Sequence, residues 1–158
     1  MRKKLKVVQI TTISTYEITD IGARIRLACT VANIKLCEVG SKLGMSPSTF
    51  SQRLDKGKFT KPELEEMATA IGCTYRCYFK FNDGKAFSAP TIGQQIKDAL
   101  EHADMSIGDL AVKMGLTRQA ASKRLSIGKL SQEDLEAIAR YMNCDYVSEF
   151  EFEDGTVI

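Results

Sequence analysis

Two stretches of this 158-residue chain concentrate positive charge in the same pattern. The window Lys113–Lys129 holds Lys113, Arg118, Lys123, Arg124 and Lys129 and no acid. The window Lys42–Lys58 holds Lys42, Arg53, Lys56 and Lys58 against Asp55 alone. Cations grouped in this way neutralise a polyanion. One such run is an ordinary solvated face; two runs at matched positions favour a polyanion-binding segment. Catalytic chemistry finds no comparable support. His102 is the only histidine, and Cys29, Cys37, Cys73, Cys77 and Cys144 form no C-x-x-C pair. No paired carboxylates, Ser/His set or phosphate-cradling glycine loop is present. Neither an enzyme, a metal site nor a cofactor is expected. The cysteines are expected to be buried, reduced thiols, with Cys73 and Cys144 at a shared core position.

The matched positions follow from an internal repeat. Residues 21–87 align without a gap on residues 92–158 at an offset of 71, with 21 of 67 positions identical. The organisation expected is an N-terminal basic arm over residues 1–20, a first repeat over 21–87, a linker over 88–91 and a second repeat over 92–158. A unit of this size has a marginal core and gains from packing on a neighbour. The net charge of +2 is uneven: residues 1–20 carry +2, residues 21–87 carry +5 and residues 88–158 carry −5. No apolar run approaches the roughly 20 residues of a membrane helix. The apolar stretch near the N-terminus is too short and Thr-rich for a signal peptide.

Each repeat needs four helices and a strand to position its basic segment. In the second, Ile92, Ile96, Ala99, Leu100 and Ala103 fall at helical spacing. Ser106 caps a short second helix that Gly115 ends, and Thr117 caps a third, Arg118–Ser126. Ser131 with Asp134 resembles a capping box for a fourth, about Gln132–Met142. An alternating strand runs from Tyr146 to Phe152, followed by a turn at Asp154-Gly155 and a short return strand. The first repeat reads the same way, with Ser46 as cap, Pro47 at the first position of the third helix and a strand over Tyr75–Phe81. Residues 6–13 alternate in part and suggest an extra strand; residues 1–4 suggest a mobile arm.

Two short helices joined at Gly44 or Gly115 make a helix-turn-helix. Gly40 and Ala111 let the helices approach. Met45/Leu116, Phe50/Ala121 and Leu54/Leu125 hold the third helix to the core. Arg118, Gln119, Ser122 and Lys123 are left on the exposed face, matched by Pro47, Ser48, Ser51 and Gln52. Each unit thereby resembles the lambda-repressor/Cro-type (Xre-type) helix-turn-helix domain. The second repeat is the better match, through Asp-Leu-Ala, Gly-Leu-Thr-Arg-Gln-Ala and Gly-Lys. The trailing strand and Asp-Gly turn also resemble short phage and mobile-element regulators.

The resemblance implies a third helix in the major groove with its N-terminal residues at base edges. It makes Arg118 a candidate for guanine and Gln119 for adenine, with Ser122 and Lys123 reaching a base or a phosphate. Ser48, Thr49, Ser51 and Gln52 are the first repeat's equivalents, and Pro47 and Phe50 leave that head less informative. Lys42, Lys58, Lys113, Thr117 and Lys129 are candidate phosphate contacts. Arg53 and Arg124 are candidates for the same role, or for a structural ion pair to the fourth helix.

Arg76 and Lys80 on the first strand stand where Val147 and Glu151 stand on the second, with Glu149 and Glu153 nearby. These charges favour antiparallel pairing of the two strands within one molecule. The expected fold is therefore mainly α with short antiparallel strands. Its two lambda-repressor-like units, each ending in a strand or hairpin, pair as an intramolecular pseudo-dimer. Their third helices are then expected roughly 34 Å apart, one turn of B-DNA. The expected function is a sequence-specific double-stranded DNA-binding regulator, a repressor reading two unequal half-sites. The alternative is a helix-turn-helix scaffold for a protein partner, such as an antitoxin or nuclease-system inhibitor. A monomeric pseudo-dimer or homodimer is expected, cytoplasmic and nucleoid-associated in a prokaryotic cell or phage-infected host, with no membrane contact.

Overall fold

Six of the eight helices among the described residues start at a side chain that satisfies unpaired N–H groups of the first turn. The computed structural model describes residues 20–158, so the expected strand over 6–13 and the arm over 1–4 lie outside the described residues. Asp20 accepts from the Gly22 and Ala23 N–H groups at 3.3 and 3.2 Å and starts α1, Ile21–Ala32. The second helix, α2, is Leu36–Lys42, and α3 is Pro47–Lys56, capped by Ser46. β1 (Lys58–Phe59) leads to α4, Lys61–Ile71. β2 (Thr74–Lys80) and β3 (Ala86–Phe87) close the first repeat.

The second repeat follows the same order: α5 (Ile92–His102), α6 (Ile107–Met114), α7 (Arg118–Ile127), β4 (Leu130–Ser131), α8 (Gln132–Tyr141) and β5 (Asp145–Glu151). Capping boxes at Ser106/Asp109 and Ser131/Asp134 start α6 and α8. The third helix runs one residue past its expected end, and Met142 is the C-cap of α8 rather than its last residue. Both long strands begin and end one residue earlier than their alternation predicts. β1 and β4, which pair in a two-stranded sheet, carry no alternation long enough to read.

β3, β2 and β5 form a second sheet in that order. The Tyr75 ring meets Phe150 at 5.0 Å and Phe79 meets Tyr146 at 5.1 Å, so β2 and β5 run in opposite directions. The charge pattern that predicts this pairing is realised at Arg76, which bonds Glu149 at 2.9 Å and also pairs with Glu151.

The chain forms two compact units whose boundaries fall inside β1, α4, β2 and β5. Of the described residues, the first takes those up to Lys58, Glu63–Arg76 and Glu149–Ile158. The second takes Phe59–Pro62 and Cys77–Ser148. The helices of the first repeat thus share a unit with the last ten residues of the second. There Phe150 and Ile158 exchange backbone hydrogen bonds at 2.8 and 2.9 Å, and the expected return strand is reduced to an isolated antiparallel bridge, Glu151 opposite Val157. Arg24 of α1 is buried, donates to the Ile158 carbonyl at 3.0 Å and lies over the Phe150 ring.

In the second unit the β2–β3 hairpin, with Phe79 opposite Phe87, lies with α5. His102 at the end of α5 bonds Asp83 in the hairpin turn at 2.8 Å and packs on Phe81 and Phe87. Gln95, aligned with Arg24, is buried here and accepts from the Cys77 thiol at 3.7 Å. The segment 88–91 joins β3 to α5 within this unit.

The same close approach recurs in both units. A Cβ on Gly22 would lie 2.1 Å from the Leu54 carbonyl oxygen, and one on Gly93 2.4 Å from that of Leu125. The first helix therefore touches the backbone of the third directly. Among the thiols, Cys29, Cys77 and Cys144 are buried and Cys73 is half-buried. Cys37 is exposed, contrary to the sequence expectation. It stands two residues before buried Val39, on the opposite face of α2. Burial pushes the Cys29, Cys73 and Cys144 thiols up to about 11.

Gly22→Ala and Gly93→Ala should each destabilise the fold by about 1–3 kcal/mol through overpacking. Gly108→Ala, whose Cβ meets only the Ser106 hydroxyl at 3.5 Å, should be neutral or slightly stabilising in denaturant titrations. The three buried-thiol pKa values lie above their ordinary 9.0, so folding favours the protonated form. Their contribution is full below pH 9.0 and is lost as pH rises toward about 11. Urea midpoints should fall over that range. Native-state alkylation read by mass spectrometry should modify Cys37 well before Cys29, Cys77 or Cys144.

Candidate nucleic-acid interface

The helix-turn-helix of the second unit is built from three local devices. The Ser106 hydroxyl accepts from Asp109 N at 3.0 Å, and the Asp109 carboxylate accepts from Ser106 N at 2.9 Å, which fixes the start of α6. Those bonds, first the one from the Ser106 backbone, hold the Asp109 pKa below its ordinary 3.8. Gly115, at φ 70°, turns the chain, and Leu116 N closes the turn on the Ala111 carbonyl at 2.9 Å. Thr117 then caps α7 by accepting from Ala120 N at 3.1 Å.

Ala121 and Leu125 are the buried residues of α7. With these inward, Arg118, Gln119 and Lys123 are exposed, and none has a hydrogen-bond or ion-pair partner among the described residues. Ser122 is half-buried, because it follows Ala121 at the edge of the buried stripe; its expected full exposure is corrected accordingly. Thr117, Lys113 and Lys129 are exposed. Arg124 is bound to Asp134 of α8 at 3.2 Å. One apolar side chain also stands out in water: Val112, on α6 beside Lys113, is 79% exposed.

The corresponding segment of the first unit has the same order of two helices and a glycine turn, with a leading helix one residue shorter and different chemistry. Gly40 is needed because a Cβ there would meet Phe50 Cδ2 at 3.0 Å; in the second unit the aligned pair is Ala111 and Ala121. Pro47 supplies no N–H at the start of α3. Ser48 and Thr49 are exposed, but their hydroxyls lie 3.4 and 2.9 Å from that of the cap Ser46. Gln52 is exposed and Ser51 half-buried, like its counterpart Ser122. Lys42 donates to the Ala70 carbonyl at 3.4 Å and Lys58 is exposed. Arg53 pairs with Glu63 of α4 at 2.6 Å, and Arg26 pairs with Asp55 at 3.0 Å.

Sequence reasoning gives an ion pair to the fourth helix as one of two roles for Arg53 and Arg124, which the structure shows, but it names neither acid and does not single out Val112. The ion pairs have a readable signal in hindsight, since Glu63 and Asp134 align at the same offset as Arg53 and Arg124. Val112 has none, because a valine in a short amphipathic helix reads as core. Among the described residues no cluster of three His, Cys, Asp or Glu could hold a metal, and no helix is long and apolar enough to cross a membrane.

Because the folded pKa of Asp109 is depressed, its contribution is present above pH 3.8 and is lost as pH falls through the folded value. Asp109→Asn keeps an acceptor for the cap but removes the charge. It should lower the urea midpoint at neutral pH, and the gap from wild type should close under acid as both side chains become neutral.

A helix-turn-helix family model matches residues 96–147, from within α5 into β5. No curated protein and no solved structure matches the chain. Residues 96–147 of the second repeat are thus similar to a helix-turn-helix family.

Proposed function

We propose that this protein is a sequence-specific double-stranded DNA-binding transcriptional regulator that represses by occupying a promoter. One observation carries the reading. The exposed face of α7 presents Arg118, Gln119 and Lys123 without partners among the described residues, on the helix that this domain type uses to enter the major groove. Arg118 is suited to the paired acceptors of guanine and Gln119 to the donor–acceptor edge of adenine. Lys123 and the Ser122 hydroxyl reach a neighbouring base or phosphate. Lys113, Lys129 and the Thr117 hydroxyl contact the backbone and add affinity without sequence information.

The first unit contributes a weaker half-site through Ser48, Thr49, Ser51 and Gln52, supported by Lys42 and Lys58. Its polar face is shorter, and part of it is engaged by Ser46. The two half-sites are then unequal, read by one chain acting as a pseudo-dimer or by a homodimer. This reading places the protein with the nucleoid. The exposure of Val112 favours a second reading, in which the helix-turn-helix face contacts a protein instead.

Selection of bound sequences from a random duplex library at moderate salt tests the choice. Wild type should enrich a bipartite motif. Arg118→Ala/Gln119→Ala should relax one half of it, at about 1–3 kcal/mol per lost bidentate contact. Lys113→Ala or Lys129→Ala should weaken all duplexes alike and reduce the slope of log K against log salt by about 0.9. Absence of any enriched motif would move the assignment to a protein partner.

A further inference from the structure

Arg53 and Arg124 stand at the same place in the two repeats, one residue before the buried leucine of the third helix, Leu54 or Leu125. Each is held by an acid in the first turn of the next helix, and those acids also align: Glu63 at 2.6 Å and Asp134 at 3.2 Å. Asp134 is itself fixed, because the same carboxylate oxygen accepts from Ser131 N at 3.0 Å. Arg53 has a second anchor in the Lys58 carbonyl at 3.5 Å. The four side chains are 25–39% exposed, so the pairs are partly shielded from water. The reading positions differ between the repeats, with Pro47, Ser48 and Gln52 against Arg118, Gln119 and Lys123. The arginine–acid pair is present in both, although the acid has changed from glutamate to aspartate.

A partly exposed ion pair contributes little to stability, so its recurrence calls for another role. Each third helix is fixed at its start by a hydroxyl cap, Ser46 or Thr117. Its last turn is fixed by the arginine. We propose that Arg53 and Arg124 are positioning residues. Glu63 and Asp134 hold them so that the third helix presents its outer face at one angle, and neither arginine contacts phosphate. A reading helix tilted by a fraction of its width loses bidentate base contacts while its charge stays the same. The proposal rests on the DNA-reading function above.

The test uses the full chain, the duplex recovered by selection and a scrambled duplex of equal length and composition. Binding is measured between about 50 and 200 mM salt, where phosphate contacts register as slope. Asp134→Asn keeps an oxygen for the Ser131 N–H and removes the charge that holds Arg124. It should weaken the selected duplex about tenfold, the equivalent of one lost bidentate contact, although it removes a negative charge. The scrambled duplex and the salt slope should stay unchanged. Arg124→Ala should behave alike, and Arg124→Lys should retain most discrimination. Circular dichroism confirms folding, and Glu63→Gln supplies the same test in the other unit if Asp134→Asn unfolds.

The proposal is overturned if Asp134→Asn tightens both duplexes, as simple loss of an acid would. A fall in slope of about 0.9 for Arg124→Ala would also overturn it, marking a phosphate contact. Wild-type discrimination with Asp134→Asn indistinguishable from it would remove the positioning role and leave the DNA reading standing. Failure of wild type to tell the duplexes apart would remove both.

Discussion

The approach of α1 to the end of α3, and of α5 to the end of α7, leaves no room for a side chain at the crossing. Gly22 and Gly93 occupy those points against the carbonyls of Leu54 and Leu125. Backbone on backbone is the least adjustable kind of packing, because no rotamer can absorb an error. It determines where the third helix begins its burial, hence which of its residues face inward. In the second unit Ala121 and Leu125 go in, and Arg118, Gln119 and Lys123 are left in water. The chemistry of the outer face is thus a by-product of a steric limit on the inner one.

Within that limit the two units solve the same packing problem with opposite side chains. The first places a ring, Phe50, against a glycine, Gly40; the second places alanine against alanine. The first pair is the bulkier, so the two crossings are filled by different volumes as well as different shapes. A like difference appears where the helices receive a hairpin, with Arg24 reaching a carbonyl in one unit and Gln95 accepting from a thiol in the other. The order of elements is kept in both units while polar character diverges, which lets one backbone plan carry two surfaces.

Much of this was legible from residue order. Caps at Ser46, Ser106, Thr117 and Ser131, and turns at Gly44 and Gly115, are local signals, and the helices start and stop where these residues require. The exposed donors of α7 were legible for the same reason, since a 3.6-residue period around Leu125 points them outward. Other features depend on groups distant in sequence. The acid that Arg53 pairs with lies on another helix, the burial of Arg24 depends on a carbonyl 134 positions away, and the exposure of Cys37 depends on which face of a two-turn helix is covered. Periodicity also shifted each long strand by one residue, because hydrogen bonding rather than alternation defines a strand end.

The crossing of the chain between units has a consequence for how such a protein can be altered. Its sequence repeat invites a cut at residues 88–91, yet that segment lies inside one unit. A break there would leave each set of helices with its own hairpin and without the one it packs on. The duplication is therefore no longer a pair of portable modules. Recombination, truncation or fusion at the apparent seam would divide two cores at once, whereas exchange of exposed residues on a third helix would disturb neither.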